Sequence, residues 1–196
     1  MTRTLVLVRF LPLALLSATA FAADPPSLGQ TLDGQFQNAE REIVGLVEAM
    51  PADKINFTPV SLEIKGSEYK GVRSFAQEAK HLATYTYMMS SQILGEKAPV
   101  DIGPPSGDFN GPDSVKTKDQ IVEYMKGAFA FGHKALQSIT EKNEMELVPA
   151  SGPGRKQPRI GAATFMMYHN FDHYGQMVEY LRMNGLIPPS SQPRGR

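Results

Sequence analysis

The chain has 196 residues, enough for one domain with a sizeable core and too few for two comfortable ones. Lys and Arg together number 20, and so do Asp and Glu, so the charge balance gives no reason to expect a nucleic-acid or acidic-membrane partner. Cysteine is absent, which excludes a disulfide framework, a lipid-modified N-terminal cysteine, a thiolate metal site and a cysteine nucleophile.

Residues 1–22 read as a signal peptide. Arg3 and Arg9 flank a short apolar stretch that continues from Phe10 to Leu16. Ala20-Phe21-Ala22 then supplies small residues where a signal peptidase reads. The run is short for a membrane span, so a retained N-terminal anchor is the alternative. Cleavage removes two of the 20 basic residues and no acid, leaving 18 basic against 20 acidic over residues 23–196, the expected domain. The expected location is periplasmic or secreted, with no membrane association once the signal is removed.

After a lead-in at residues 23–27, Leu32, Phe36, Ala39, Ile43, Leu46, Val47 and Met50 recur at three- and four-residue steps. That stripe predicts an amphipathic helix over 28–50, closed by Pro51. Ile55 to Pro59 is expected to be extended, and Gly66 to Gly71 a loop or short hairpin. Ser74 with Gln77 forms a capping-box pattern that opens a second helix carrying Phe75, Ala79, Leu82, Met89 and Ile93, ending near Gly95. Residues 95–116, rich in Gly, Pro and Asp, form a long connection. Thr117 with Gln120 opens a third helix with Ile121, Met125, Ala128, Ala135 and Ile139 in phase. A second long loop covers 141–159, and the last helix runs from about 160 to 184. Asn184-Gly185 caps it and Pro188-Pro189 prevents continuation. The expected fold is all-α: a four-helix bundle with long loops before helices 3 and 4, where such loops often line a site.

Without cysteine, a metal site must be built from His, carboxylates and water, and the chain has four histidines. His169 and His173 lie one helical turn apart on the core side of the last helix, a spacing that can aim both rings at one ion. The alternative is a pair of core histidines hydrogen-bonded to neighbours. Asn170 stands where H-E-x-x-H places its general base, so a zinc protease is not expected. Two histidines could complete the set. His81 falls about 120° from the centre of the Phe75/Leu82/Met89 stripe and shares its side with Glu78, Tyr85 and Met88. His133 sits beside Gly132 on the shoulder of helix 3, which suits a solvated surface role.

The run His169-Asn-Phe-Asp-His173-Tyr-Gly175-Gln176, continuing through Tyr180-Leu181-Arg182 to Gly185 and Pro188-Pro189, resembles the end of the DinB/YfiT-like superfamily. Met50-Pro51-Ala52-Asp53-Lys54 with Phe57 and Pro59 is similar to that family's loop after helix 1. Val72-Arg73-Ser74-Phe75 with Lys80-His81-Leu82 is similar to the start of its helix 2. The resemblance spans about residues 28–190. It implies a four-helix bundle and a metal triad of His81, His169 and His173, and this selects His81 over His133. Many relatives carry Arg where this chain has Tyr174.

Three imidazoles leave a coordination position open, the pattern of a catalytic site more than of a closed structural one. Nitrogen ligands favour Zn, Ni, Fe or Cu over Mg and Ca, and one divalent ion, zinc or nickel first, is expected. The resemblance implies a metal-dependent hydrolase or thiol-dependent transferase acting on an unidentified small molecule. Export argues for hydrolysis. No carboxylate stands out as a general base. The alternative is a non-catalytic metal-binding or interaction protein. Tyr85, Asp172, Gln176 and Tyr180 are candidates to surround the ligands. Met88, Met89, Met166, Met167 and Met177 could suit copper, although core packing accounts for them more simply. Relatives often pair through helix faces, so a homodimer is an allowed state.

Overall fold

The computed structural model describes residues 24–104 and 107–192, and the expected signal peptide lies outside them. Four helices form the bundle: α1 (Leu28–Ala49), α2 (Phe75–Leu94), α3 (Lys118–Gln137) and α4 (Arg159–Met183). The first three open on capping boxes. Ser74 with Gln77 and Thr117 with Gln120 behave as the sequence predicts. Ser27 with Gln30 makes a third: the Ser27 hydroxyl accepts from the Gln30 amide at 3.2 Å and Gln30 Oε1 accepts from the Ser27 amide at 2.8 Å. Each box satisfies two amides that a helix start would otherwise leave unpaired.

α4 starts differently. Pro158 precedes it without a side-chain cap, and the amides of Arg159 and Ile160 donate to the carbonyls of Glu146 and Glu144 at 2.9 Å each. Those carbonyls belong to a small antiparallel hairpin region that sequence reading passes over as loop. β1 (Leu147–Pro149) pairs with β2 (Lys156–Pro158), Leu147 opposite Pro158. Two prolines in three-residue strands leave almost no strand signal to read. At its far end α4 closes in a Schellman turn. Gly185, at φ +73°, donates to Arg182 O, and Leu186 donates to Leu181 O at 3.0 Å.

The segment between α1 and α2 departs from expectation. Ile55 to Pro59 is not a strand, because 3₁₀ turns at Ala52–Lys54 and Pro59–Leu62 bracket it. Its carbonyls serve the start of α2 instead: Ile55 O accepts from Ala76 at 2.8 Å and Phe57 O from Phe75 at 3.0 Å. Residues 66–71 form a loop, the first of the two expected forms, with turns at Gly66 and at Lys70 and Gly71.

α2 packs against both α3 and α4, while α1 packs against α3 and, less closely, α4. α2 is therefore buried on two sides, with thirteen of its 20 residues inaccessible, Glu78 and His81 among them. The core runs through Phe36, Ile43, Leu46, Phe75, Leu82, Met125, Phe129, Met177 and Leu181. Phe36 and Phe129 pack at 4.9 Å between ring centres. Among the described residues no helix is long and apolar enough to cross a membrane.

Candidate metal centre

α2 contributes one histidine to the α2–α4 interface and α4 contributes two. His81 and His173 are buried, and His169 is partly exposed. The potential ligand atoms of His81, His169 and His173 all lie within 4.8 Å of one another, an arrangement that could hold a metal ion. The ring centres are 4.7 Å apart for His81–His173, 5.3 Å for His81–His169 and 4.5 Å for His169–His173. Helical phase alone sets His81 on a flank. The second buried side of α2, facing α4, brings it in.

Two of the rings are oriented by hydrogen bonds. His81 Nδ1 donates to Asp108 O at 2.9 Å, and His173 Nδ1 donates to Glu78 Oε2 at 2.6 Å. A neutral imidazole that donates from Nδ1 carries its lone pair on Nε2, the form a cation needs. His169 is held by stacking, with Tyr85 at 4.3 Å and 29° and Phe165 at 5.3 Å and 25°. Burial lowers the pKa of His81 to about 4, with the Arg73 charge adding to it. Burial, reinforced by His173, His81 and Arg73, lowers that of His169 to about 3. At neutral pH both rings are unprotonated. The three-nitrogen donor set fits a divalent transition ion and suits Mg or Ca poorly.

The other sequence candidates divide. Tyr85 lies against the cluster, 4.7 Å from His81 as well as stacked on His169. Asp172 and Gln176 do not, since both are exposed and meet each other at 3.4 Å. They share the helix with the ligands but point away from α2. Tyr180 is one step removed: its hydroxyl donates to Arg73 O at 3.0 Å, and burial raises its pKa to about 12, so it stays a donor. His133 is no solvated bystander. Its ring bridges Asp33 at 2.5 Å and Glu40 at 3.0 Å, joining α3 to α1. Met89, Met166 and Met177 are buried in the core and Met88 and Met167 pack against it, so packing accounts for all five. Tyr174, at the position of the relatives' Arg, meets the Ser190 hydroxyl at 2.7 Å and ties the segment after α4 to the helix.

Sequence reading missed Glu78 and Asp108. Glu78 carried a usable signal, a carboxylate three residues before His81 on the same helix side. Asp108 carried none, because it contributes its backbone carbonyl.

Solved structures share this fold, two DinB-like proteins among them. A DinB-like protein from Bacillus cereus ATCC 10987 aligns at 16% identity with a TM-score of 0.60, over 81% of this chain and 93% of that one. A DinB-like protein from Bacillus subtilis aligns at 19% identity with a TM-score of 0.56, over 84% of this chain and 99% of that one. No curated protein matches the chain. The family model described as DinB superfamily matches residues 35–177, from inside α1 to inside α4, and so spans all three histidines. The chain belongs to the DinB superfamily.

Proposed function

We propose that His81, His169 and His173 hold one divalent transition ion, zinc or nickel first, in an exported metal-dependent hydrolase or transferase acting on a small molecule. The observation that carries this reading is the convergence of three histidines from two helices within 4.8 Å. When bound, the ion would supply Lewis-acid chemistry at the position the three imidazoles leave open. The chain's own groups prepare the centre. Glu78 and the Asp108 carbonyl hold the Nδ1 protons of His173 and His81, which fixes both rings and leaves Nε2 as the free lone pair of each. Tyr85 and Phe165 both pack on His169 and lie 6.1 Å from each other, and Phe109 packs on Tyr85 at 5.5 Å, so aromatic rings line one side of the cluster.

A non-catalytic binding role is the second reading, and one observation favours it. Glu78 is the one carboxylate hydrogen-bonded to the cluster among the described residues, and its Oε2 is committed to His173. It orients a ligand rather than standing free as a general base. Export rests on the pattern in residues 1–22.

The test is elemental mass spectrometry of the mature, tag-free protein beside a His169→Ala/His173→Ala double variant. One transition ion per chain, lost in a variant that stays folded, is the expected result. No metal after incubation with zinc, nickel, copper and iron salts would sink the reading. Turnover of ester, amide or thiol-acceptor substrates by the loaded protein separates enzyme from carrier.

A further inference from the structure

Arg73 is tied to the histidine cluster through a shared acceptor, the Asp108 carbonyl. Its backbone is pinned by the Tyr180 hydroxyl, and its side chain is partly buried. Arg73 Nε donates to Asn110 Oδ1 at 2.8 Å, and Nη2 donates to Asp108 O at 3.0 Å. The same Asp108 carbonyl accepts from His81 Nδ1 at 2.9 Å, so guanidinium and imidazole share one oxygen. Both acceptors of Arg73 are neutral. None of the ion pairs among the described residues involves it. The two bonds use the Nε–Nη2 edge of the guanidinium. The Nη1–Nη2 edge is the one that takes a carboxylate end-on.

The residue between those two acceptors joins the charge to an apolar wall. Phe109 sits at φ +53°, an unfavourable conformation for a bulky side chain, while its neighbours Asp108 and Asn110 serve Arg73. Its ring meets Tyr85, which stacks on His169, which stacks on Phe165. A partly buried cation whose two acceptors are both neutral is a ready partner for an incoming anion. A substrate without negative charge would leave it unmatched.

We propose that the substrate is a small organic carboxylate with an apolar, planar body, its carboxylate pairing with Arg73 and its body lying along Tyr85 and Phe165. The assignment rests on the metal-centre reading for the chemistry, and on Arg73 and the aromatic residues for the ligand class.

Isothermal titration of the zinc-loaded mature protein with benzoate, benzamide and inorganic phosphate tests it, beside Arg73→Gln and Arg73→Lys variants checked for folding and for metal content. Benzoate is expected to bind, with Arg73→Gln weakening it about tenfold or more and Arg73→Lys retaining part of the affinity. Benzamide, the neutral isostere, is expected to bind at least about tenfold less tightly. Benzamide equal to benzoate, or benzoate unaffected by Arg73→Gln, would overturn the charge assignment. Phosphate as tight as benzoate would overturn the apolar body. Metal content read on the same samples separates the two ideas. Metal without Arg73-dependent binding defeats this proposal alone, and Arg73-dependent benzoate binding in a chain that takes no metal defeats the metal centre alone.

Discussion

Glu78 and His173 meet across the α2–α4 interface at 2.6 Å, both almost wholly inaccessible to water. The contact joins the helix that supplies one candidate ligand to the helix that supplies two. A carboxylate in this place fixes the ring's tautomer and strengthens its donor nitrogen, and outer partners of this kind typically change metal affinity by about 10–100-fold. Glu78→Gln keeps the size and a hydrogen-bonding oxygen but removes the charge. It is expected to weaken zinc binding within that range while leaving the helical circular dichroism unchanged. Competition with a chromophoric chelator measures it, and an affinity equal to that of the parent would remove Glu78 from the centre.

His133 predicts a pH effect of its own. Burial disfavours its charged form, but the bonds to Asp33 and Glu40 outweigh that cost and leave its pKa above 6.5. The folded protein therefore binds more protons at this site than the unfolded chain just above pH 6.5. The bridge's stabilisation is full below 6.5 and is lost as pH rises through the folded value. The difference in Tm between the parent and His133→Gln should shrink as pH is raised from 6 to 9. A difference that holds constant would mean that the bridge does not depend on the ring's charge.

The histidine cluster predicts the opposite slope in the metal-free protein. His81 and His169, lowered to about 4 and about 3, are neutral in the folded state where the unfolded chain, near 6.5, takes up protons. The unfolded state binds more protons across that window, so stability falls as pH is lowered from 6.5 towards 4. Zinc should raise Tm at pH 7.5 and lose that effect through the same interval, because protons and metal compete for the same nitrogens. Thermal melts with and without zinc at each pH measure both trends. Equal zinc protection at pH 7.5 and pH 4.5 would point to ligands other than these imidazoles.

What was legible in the sequence follows from how local each signal is. The boxes at Ser74 and Thr117 are written in four residues each, and Ser27-x-x-Gln30 was equally readable but hidden by the prolines before it. His169 and His173 needed only the period of one helix. His81 did not yield to that argument, because phase within α2 measures distance from one apolar stripe while α2 has two buried sides. The family resemblance supplied what periodicity could not. Asp172 and Gln176 failed for the converse reason: nearness along α4 says nothing about which side faces α2. The acceptors from Asp108 and Asn110 come from a loop whose path no period encodes.

Gly132 offers a test of the packing between α1 and α3. A Cβ built there would lie 2.5 Å from Phe36 Cε1 and 2.7 Å from Phe36 Cζ. Phe36 has nowhere easy to go, being fully buried, 4.9 Å from the Phe129 ring and 5.1 Å from that of His133. Gly132→Ala in an isolated helix would gain about 1 kcal/mol from helix propensity. Overpacking of a filled core costs about 1–3 kcal/mol, so the clash should cancel the gain or exceed it. The displaced ring would also press on His133 and disturb its bonds to Asp33 and Glu40. Net destabilisation of about 1 kcal/mol is therefore expected by urea unfolding, with metal content unchanged, because the histidine cluster lies on the other side of α2. A stabilised variant would mean that Phe36 can shift, and that the α1–α3 interface is looser than its geometry implies.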